Sequence, residues 1–368
     1  MHFEKQNRDG KITIIAHANG NRQPLPALWL RERAPTPDQL DGDTHQRLIN
    51  PHQFDVDLHL TAAEITGDAL YLEFSDAYQA AYPSALLASW IEPPARLPEK
   101  IQWRADSHIN WRFSWPDVQT AAGHFAAVEQ FLKHGLIILT DSPRRPGTIR
   151  QLAKRFGYIR DTNFGQIFDV RVKTAANDLA YKPIALGPHT DNPYREPTPG
   201  IQLLHCLRND TSGGETTMVD SLACVARLQQ LDPEGYQLLA TVPVRFAFQD
   251  RDDSLEVDRP ILATDARGQL LGLHYSPRLD WLPLIDEDRL KAYQRARKTL
   301  SALFVDPAYE LRFRLNPGDC AMFDNNRILH GRTGYDDGEG RRHLQGCYID
   351  RDGPESLYRR WRRDQQKL

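Results

Sequence analysis

Apolar and polar positions alternate with period two in several short stretches of this chain. That period predicts strands, because successive side chains of an extended backbone point to opposite faces. In the N-terminal part "KITIIAH", "FDVDLHL" and "ALYLEFSD" carry the strand signal, with "ANGN" and "ITGD" as turns. "YPSALLASWI" reads as a short helix, and the proline-rich "EPPARLPEK" reads as a linker. A small β-rich domain is therefore expected over residues 1–98 and a larger one over 99–368.

The larger domain opens on a helical period. In "DVQTAAGHFAAVEQFLKHG" Phe125, Val128 and Leu132 share a face, and Gly135 stands where a C-terminal cap belongs. "LIILTD" follows as a buried strand. "GTIRQLAKRFG" predicts a second helix, with Thr148 as N-cap and Ile149, Leu152 and Phe156 as its apolar stripe. From there strand signals dominate: "FDVRVK", "IQLLHCL", "TTMVD", "VRFAF", "LRFRLN", "CAMFD" and "HLQGCYID", interrupted by two helical segments between about 220 and 242. Many short strands parted by Gly, Pro, Asn and Asp turns predict a mostly β fold with helices, its core a double-stranded β-helix, or jelly roll.

Composition narrows the function classes. A net charge of −3 lacks the basic stripe of a nucleic-acid protein, and the basic C-terminal "RRWRRDQQKL" reads as the solvated face of a last helix. No apolar run approaches the roughly 20 residues that cross a bilayer, and the N-terminus is polar, so a cytoplasmic protein without membrane or nucleic-acid partners is expected. Cys206, Cys224, Cys320 and Cys347 are scattered and read as reduced, packed thiols.

The candidate chemistry lies in "GPHTDNPYREPTPG". In extended backbone His189 and Asp191 project to one face, as two metal ligands require, and "FDNNRILHGR" supplies a third candidate, His330. Two histidines and one carboxylate on one face of an octahedron leave three positions open, the arrangement of non-haem iron(II) oxygenases. Arg342, 12 residues beyond His330, offers the bidentate fork that a distal carboxylate needs. His-x-Asp alone is weak in a chain with 13 histidines. A zinc hydrolase would use the same residue types, but only Asp178 is on offer as its general base. A non-catalytic jelly-roll binding protein is the remaining alternative, set against the complete set of ligands.

"HTDNPYREPTPGIQLLHCL", "SGGETTMVD", "LNPGDCAMFDNNRILHGR" and "RRHLQGCYID", in this order and spacing, resemble the γ-butyrobetaine hydroxylase branch of the iron(II)/2-oxoglutarate dioxygenases, relatives of taurine dioxygenase. The resemblance implies that His189, Asp191 and His330 hold iron(II), and that Arg342 binds 2-oxoglutarate with Thr216 and Leu204 beside it. Arg332 is expected to have a supporting role. Dioxygen is the second cosubstrate, and the outcome is a hydroxylated C–H bond, succinate and carbon dioxide. The resemblance also implies an aromatic cage for a trimethylammonium group, with Phe164, Phe168, Tyr181 and Tyr348 at its positions. Cation–π attraction of roughly 0.5–2 kcal/mol per ring would hold that group.

The other end of the substrate departs from the branch. Asn177 and Asp178 stand near the place of a carboxylate-binding asparagine, and His274 and Tyr275 replace a later asparagine pair, with Arg278 nearby. Asn192, Tyr194 and Arg195 are further candidate anion donors. These donors suit a larger anion such as a phosphonate. A relative in the branch hydroxylates 2-(trimethylamino)ethylphosphonate, and the resemblance therefore implies that compound as the expected substrate, with γ-butyrobetaine or a trimethyllysine-like compound as alternatives. The branch's small domain often carries a zinc-binding cysteine cluster. "LRERAPTPDQLDGDTHQRLIN" has no cysteine, and His45 alone cannot hold zinc, so structural zinc is expected to be absent. A homodimer is expected from the same resemblance.

Overall fold

Six antiparallel strands make up most of the first compact unit, Met1–Arg96. They are β1 (His2–Arg8), β2 (Lys11–Ala18), β3 (Asn21–Leu25), β4 (Leu60–Thr66), β5 (Ala69–Phe74) and β6 (Gln79–Pro83), ordered β1-β2-β4-β5-β6 with β3 also on β2. Helices α1 (Ala27–Arg31) and α2 (Ser84–Ile91) pack Leu30 and Leu87 against Ile14, Leu70 and Tyr82. The computed structural model describes residues 2–18, 20–92, 96–172 and 181–365.

One expected strand moves. "FDVDLHL" is mostly a loop, and β4 begins at its last residue, Leu60, and runs through Ile65 and Thr66 to a turn at Gly67. The cause is local: Asp55 Oδ1 accepts from the Asp57 N–H at 2.8 Å, a side-chain turn that competes with the ladder. The cysteine-free segment beyond α1 is tied down by Arg31. Its guanidinium donates to Asp76 at 2.8 Å and Gln39 at 2.9 Å and lies over the Tyr78 ring at 3.7 Å.

The second unit, Leu97–Leu368, contains two facing sheets. The larger joins β7 (Arg112–Ser114), β8 (Leu136–Thr140), β9 (Ile159–Arg160), β10 (Phe168–Val170), β12 (Ile201–Asn209), β19 (Cys320–Asp324) and β21 (Arg342–Ile349). The smaller runs β11-β20-β13-β18, from β11 (Leu186–His189), β20 (Ile328–Arg332), β13 (Thr216–Asp220) and β18 (Glu310–Phe313). Leu136 and Ile138 of β8 face Met218 and Ile328 between the sheets, while Ile137 and Leu139 face helices on the outside. Both faces are buried, which is why "LIILT" is apolar without interruption.

Helices α3 (Trp115–Gln119), α4 (Ala121–His134), α5 (Thr148–Lys154) and α9 (Asp352–Gln365) accompany the larger sheet. The smaller sheet is backed by α6 (Ser221–Leu231), α7 (Pro233–Thr241), α8 (Glu287–Phe304) and the hairpins β14 (Val244–Gln249)–β15 (Ser254–Arg259) and β16 (Leu262–Thr264)–β17 (Leu270–Leu273). Gly135 caps α4 with φ +75°, as its position predicts. The buried face of α4 is shifted by one position, carrying His124, Val128 and Phe131, while Phe125 sits at its edge and stacks on Tyr358. Thr148 is the first residue of α5 rather than its cap, since Gly147 at φ +85° occupies the cap position. All four cysteines are buried and free. No helix among the described residues is long and apolar enough to cross a membrane.

Candidate active site

Strands β11 and β20 pair His189 directly with His330, and their rings lie 4.3 Å apart. Two residues on, Asp191 turns back toward both, with Oδ1 at 3.4 Å from His189 Nε2 and 3.6 Å from His330 Nε2. One ligand atom from each residue lies within 4.8 Å of the others, the one such group among the described residues. His189 Nδ1 donates to the Gly187 carbonyl at 2.9 Å, which leaves the Nε2 lone pair facing inward. Burial pushes His330 down to about 3, so its imidazole is neutral and able to ligate. Burial alone would raise the Asp191 carboxyl. The two imidazoles and a 2.7 Å hydrogen bond from the Tyr348 hydroxyl to Oδ2 outweigh it, holding Asp191 below the usual carboxylate range. A neutral imidazole and an ionised carboxylate beside a second histidine are the donor set of a divalent metal.

Two cavities meet at this triad. One, of about 550 Å³, is lined by His189, Asp191 and His330 together with Leu204, Thr216, Arg342 and Gln202. Among the described residues, buried Arg342 has no hydrogen-bond partner for its Nε, and its charge has an aromatic neighbour, Tyr335 at 5.6 Å, instead of an acid. Such a cation fits an anionic chelator whose far end reaches it. Arg332 also lines this cavity, and its guanidinium donates to the carbonyls of Lys182 and Ile184, so it fixes the chain entering β11. Sequence reasoning missed Gln202, whose buried Oε1 has no partner; alternation along β12 puts it on the face of Leu204. Donor set, orphaned guanidinium nitrogen and cavity together fit iron(II) with 2-oxoglutarate.

The second cavity, of about 560 Å³, holds all four expected cage aromatics, Phe164, Phe168, Tyr181 and Tyr348, with Asn192, Tyr194, Ser276 and Arg278 also in its lining. Phe168 lies 5.3 Å from Tyr348 and 6.2 Å from Phe164, ring to ring. Asn192 adopts φ +51° and accepts from the Tyr194 hydroxyl at 2.8 Å, while its buried Nδ2 has no partner.

Three residues expected at the anionic end, Tyr275, His274 and Arg195, are not in the lining of this cavity. Tyr275 is a core residue, its ring 4.9 Å from Phe304 and its backbone paired with Thr190 at 2.7 and 2.9 Å. His274 lines a different groove with Arg259 and Asn326, and burial pushes it down to about 3. Arg195, also outside the lining of the second cavity, donates to Asn163 at 2.5 Å. The stretch "HYSPR" instead delivers Ser276 and Arg278 to the cavity, because pairing with Thr190 fixes the backbone at Tyr275. Asn177 and Asp178 lie outside the described residues.

A jelly roll whose two sheets frame two histidines, an aspartate and a buried arginine has the architecture of an iron(II)/2-oxoglutarate-dependent dioxygenase. The profile of the "Taurine catabolism dioxygenase TauD, TfdA family" matches residues 95–348, and the chain belongs to that family. It is 34% identical over 349 residues to a γ-butyrobetaine dioxygenase of Pseudomonas sp. (strain AK-1), covering 92% of this chain and 90% of the relative. The human γ-butyrobetaine dioxygenase is 28% identical (89% and 88% covered), and the trimethyllysine dioxygenase of Meyerozyma guilliermondii 27% (95% and 93% covered). The fold matches a provisionally named α-ketoglutarate-dependent taurine dioxygenase from Burkholderia xenovorans with a TM-score of 0.50 at 15% identity, over 69% of this chain and 96% of that one. The chain is thus a dioxygenase whose cofactors are iron(II) and 2-oxoglutarate.

Proposed function

We propose that this dioxygenase hydroxylates a small trimethylammonium zwitterion. The observation that carries the reading is a single cavity beside the triad in which four aromatic rings accompany one guanidinium, that of Arg278. A trimethylammonium group donates no hydrogen bond, so ring faces are its natural partners, while the opposite charge of the same small molecule suits an arginine. The named activities of the γ-butyrobetaine and trimethyllysine dioxygenases support the same substrate class.

In this reading His189, Asp191 and His330 hold the iron, and Arg342, Thr216 and Leu204 receive 2-oxoglutarate. The bound iron and 2-oxoglutarate supply the oxidising power that opens a C–H bond. The protein's residues do the rest: the rings grip the cation, Arg278 anchors the anion, and the span between them aims one C–H bond at the metal side of the cavity. Tyr348 joins both tasks, offering its ring to the cage and its hydroxyl to Asp191.

For the anion we favour a phosphonate, with 2-(trimethylamino)ethylphosphonate as the leading compound. His274 and Tyr275 no longer support that preference. Its support is the donor set of Arg278, Ser276 and the Asn192 amide, enough to reach each of the three oxygens of a phosphonate. γ-Butyrobetaine is the second reading, favoured by the 34% identical relative. Succinate release, followed by mass spectrometry over a panel of trimethylammonium carboxylates and phosphonates, is the test. Product from a member of the panel is expected, and Arg278→Met should lower kcat/KM for the phosphonate more than for the carboxylate. No hydroxylated product from any member would sink the substrate class. The homodimer stays a proposal, checked by light scattering.

A further inference from the structure

Asp191 raises a problem that the sheet does not solve. The β11 ladder ends at His189, and Asn192 leaves it with φ +51°, so among the described residues no strand neighbour holds the backbone of the carboxylate ligand. The chain then crosses a proline-rich loop before β12 begins at Ile201. A ligand on such a loop needs its position fixed from elsewhere, or its carboxylate will not stay within bonding distance of the two imidazoles.

We infer that Asn325 is the positioning residue for Asp191, its side-chain amide taking the place of a missing strand. Asn325 lies between β19 and β20, three residues before β20 begins at Ile328 and five before His330, and is 0% exposed. Its Oδ1 accepts from the Asp191 N–H at 2.7 Å, and its Nδ2 donates to the Asp191 carbonyl at 2.9 Å. One primary amide therefore satisfies both backbone groups of the ligand residue, as a peptide on a neighbouring strand would. The same Nδ2 donates to the Pro199 carbonyl at 3.0 Å, and the Asn325 N–H donates to the Gly200 carbonyl at 3.0 Å. Both ends of the loop are thus pinned by one residue. Asn326 adds a further tie, accepting from the Thr198 hydroxyl at 2.8 Å.

The arrangement has a consequence for the whole site. The turn that holds Asp191 also leads into the strand that presents His330, so the second and third candidate ligands are fixed against a common piece of backbone. Asn192 and Tyr194, within the pinned loop, line the substrate cavity. Asn325 touches neither cavity, and its effect passes through the loop. A carboxylate in its place would keep the acceptor for the Asp191 N–H but would face two carbonyl oxygens without a donor.

This inference rests on reading the triad as a metal centre, and the test separates the two. Co(II), added to the full-length metal-free protein, is titrated by its visible absorption at a temperature well below unfolding. Wild type is expected to bind. Asn325→Ala and Asn325→Asp should weaken Co(II) binding about 10- to 100-fold. Asn325→Ser is the less disruptive variant, with the same expectation at smaller amplitude should the others fail to fold. Leu152→Ala, which empties part of the core behind the larger sheet, is the control: it should lower Tm yet leave the Co(II) Kd unchanged. Wild-type affinity in the folded Asn325 variants, or an equal loss in Leu152→Ala, overturns the positioning role alone. A wild-type protein that binds no Co(II) overturns it together with the metal reading.

Discussion

Arg342 is a buried cation without an acidic neighbour among the described residues, a state that costs free energy unless an anion completes it. A dianion reaching from the triad would do so. Arg342→Met should therefore raise the KM for 2-oxoglutarate by roughly 30-fold or more, since losing a buried charged partner costs about 2–5 kcal/mol. Arg342→Lys keeps the charge but not the fork and should fall between. A KM for 2-oxoglutarate unchanged in both would remove Arg342 from the cosubstrate site. At this scale the sequence was readable where residue type and order suffice, as for His189, Asp191, His330 and the four aromatics. It was unreadable where a contact spans the chain: Asn325 meets Asp191 across 134 positions, and nothing local to "DNNR" announces it. His274 and Tyr275 failed for another reason. The backbone pairing with Thr190 sets which residues of that stretch face the cavity, and spacing alone does not carry that register.

Among elements, β10 and β21 bring Phe168 and Tyr348 to the proposed cage through a register in which Phe168 sits opposite Gly346. A Cβ at Gly346 would lie 2.3 Å from the Phe168 ring, so the ring must give way while the backbone stays. Gly346→Ala is predicted to fold normally and to raise the KM for the trimethylammonium substrate several-fold through a displaced cage wall, with a smaller effect on 2-oxoglutarate. Steady-state kinetics with each substrate varied in turn checks this; equal rises in both constants would contradict it. The sequence pattern found β8, β10, β12, β13, β18, β19 and β21 because turn residues flank most of them, but not β20, which carries His330. It missed α8, whose buried positions Ala292, Tyr293, Ala296, Leu300 and Phe304 are interleaved with charges that dilute the apolar stripe. It also misplaced β4, where an aspartate turn overrode alternation.

For the whole molecule, buried histidines outside the site tie stability to pH, His124 and His205 among them. His124 and His205 are pushed down by burial to about 4 from their ordinary 6.5. The unfolded chain takes up protons at these positions between those values and the native state does not. Stability is therefore full above pH 6.5 and declines as the pH falls toward 4, by about 1.4 kcal/mol per unit for each group once below the ordinary value. Urea unfolding at pH 7.5 and pH 5 should show the loss, and His124→Gln should flatten it. An identical slope in that variant would show that His124 titrates elsewhere.

The central claim is that His189, Asp191 and His330 hold iron(II) with 2-oxoglutarate chelated beside Arg342. Its most direct measurement is the visible absorption of the metal-free protein on anaerobic addition of iron(II) and then 2-oxoglutarate. The weak charge-transfer band of the chelate should appear with wild type and be lost in His189→Ala and Asp191→Ala. No band in wild type, or an undiminished band in both variants, would contradict the account.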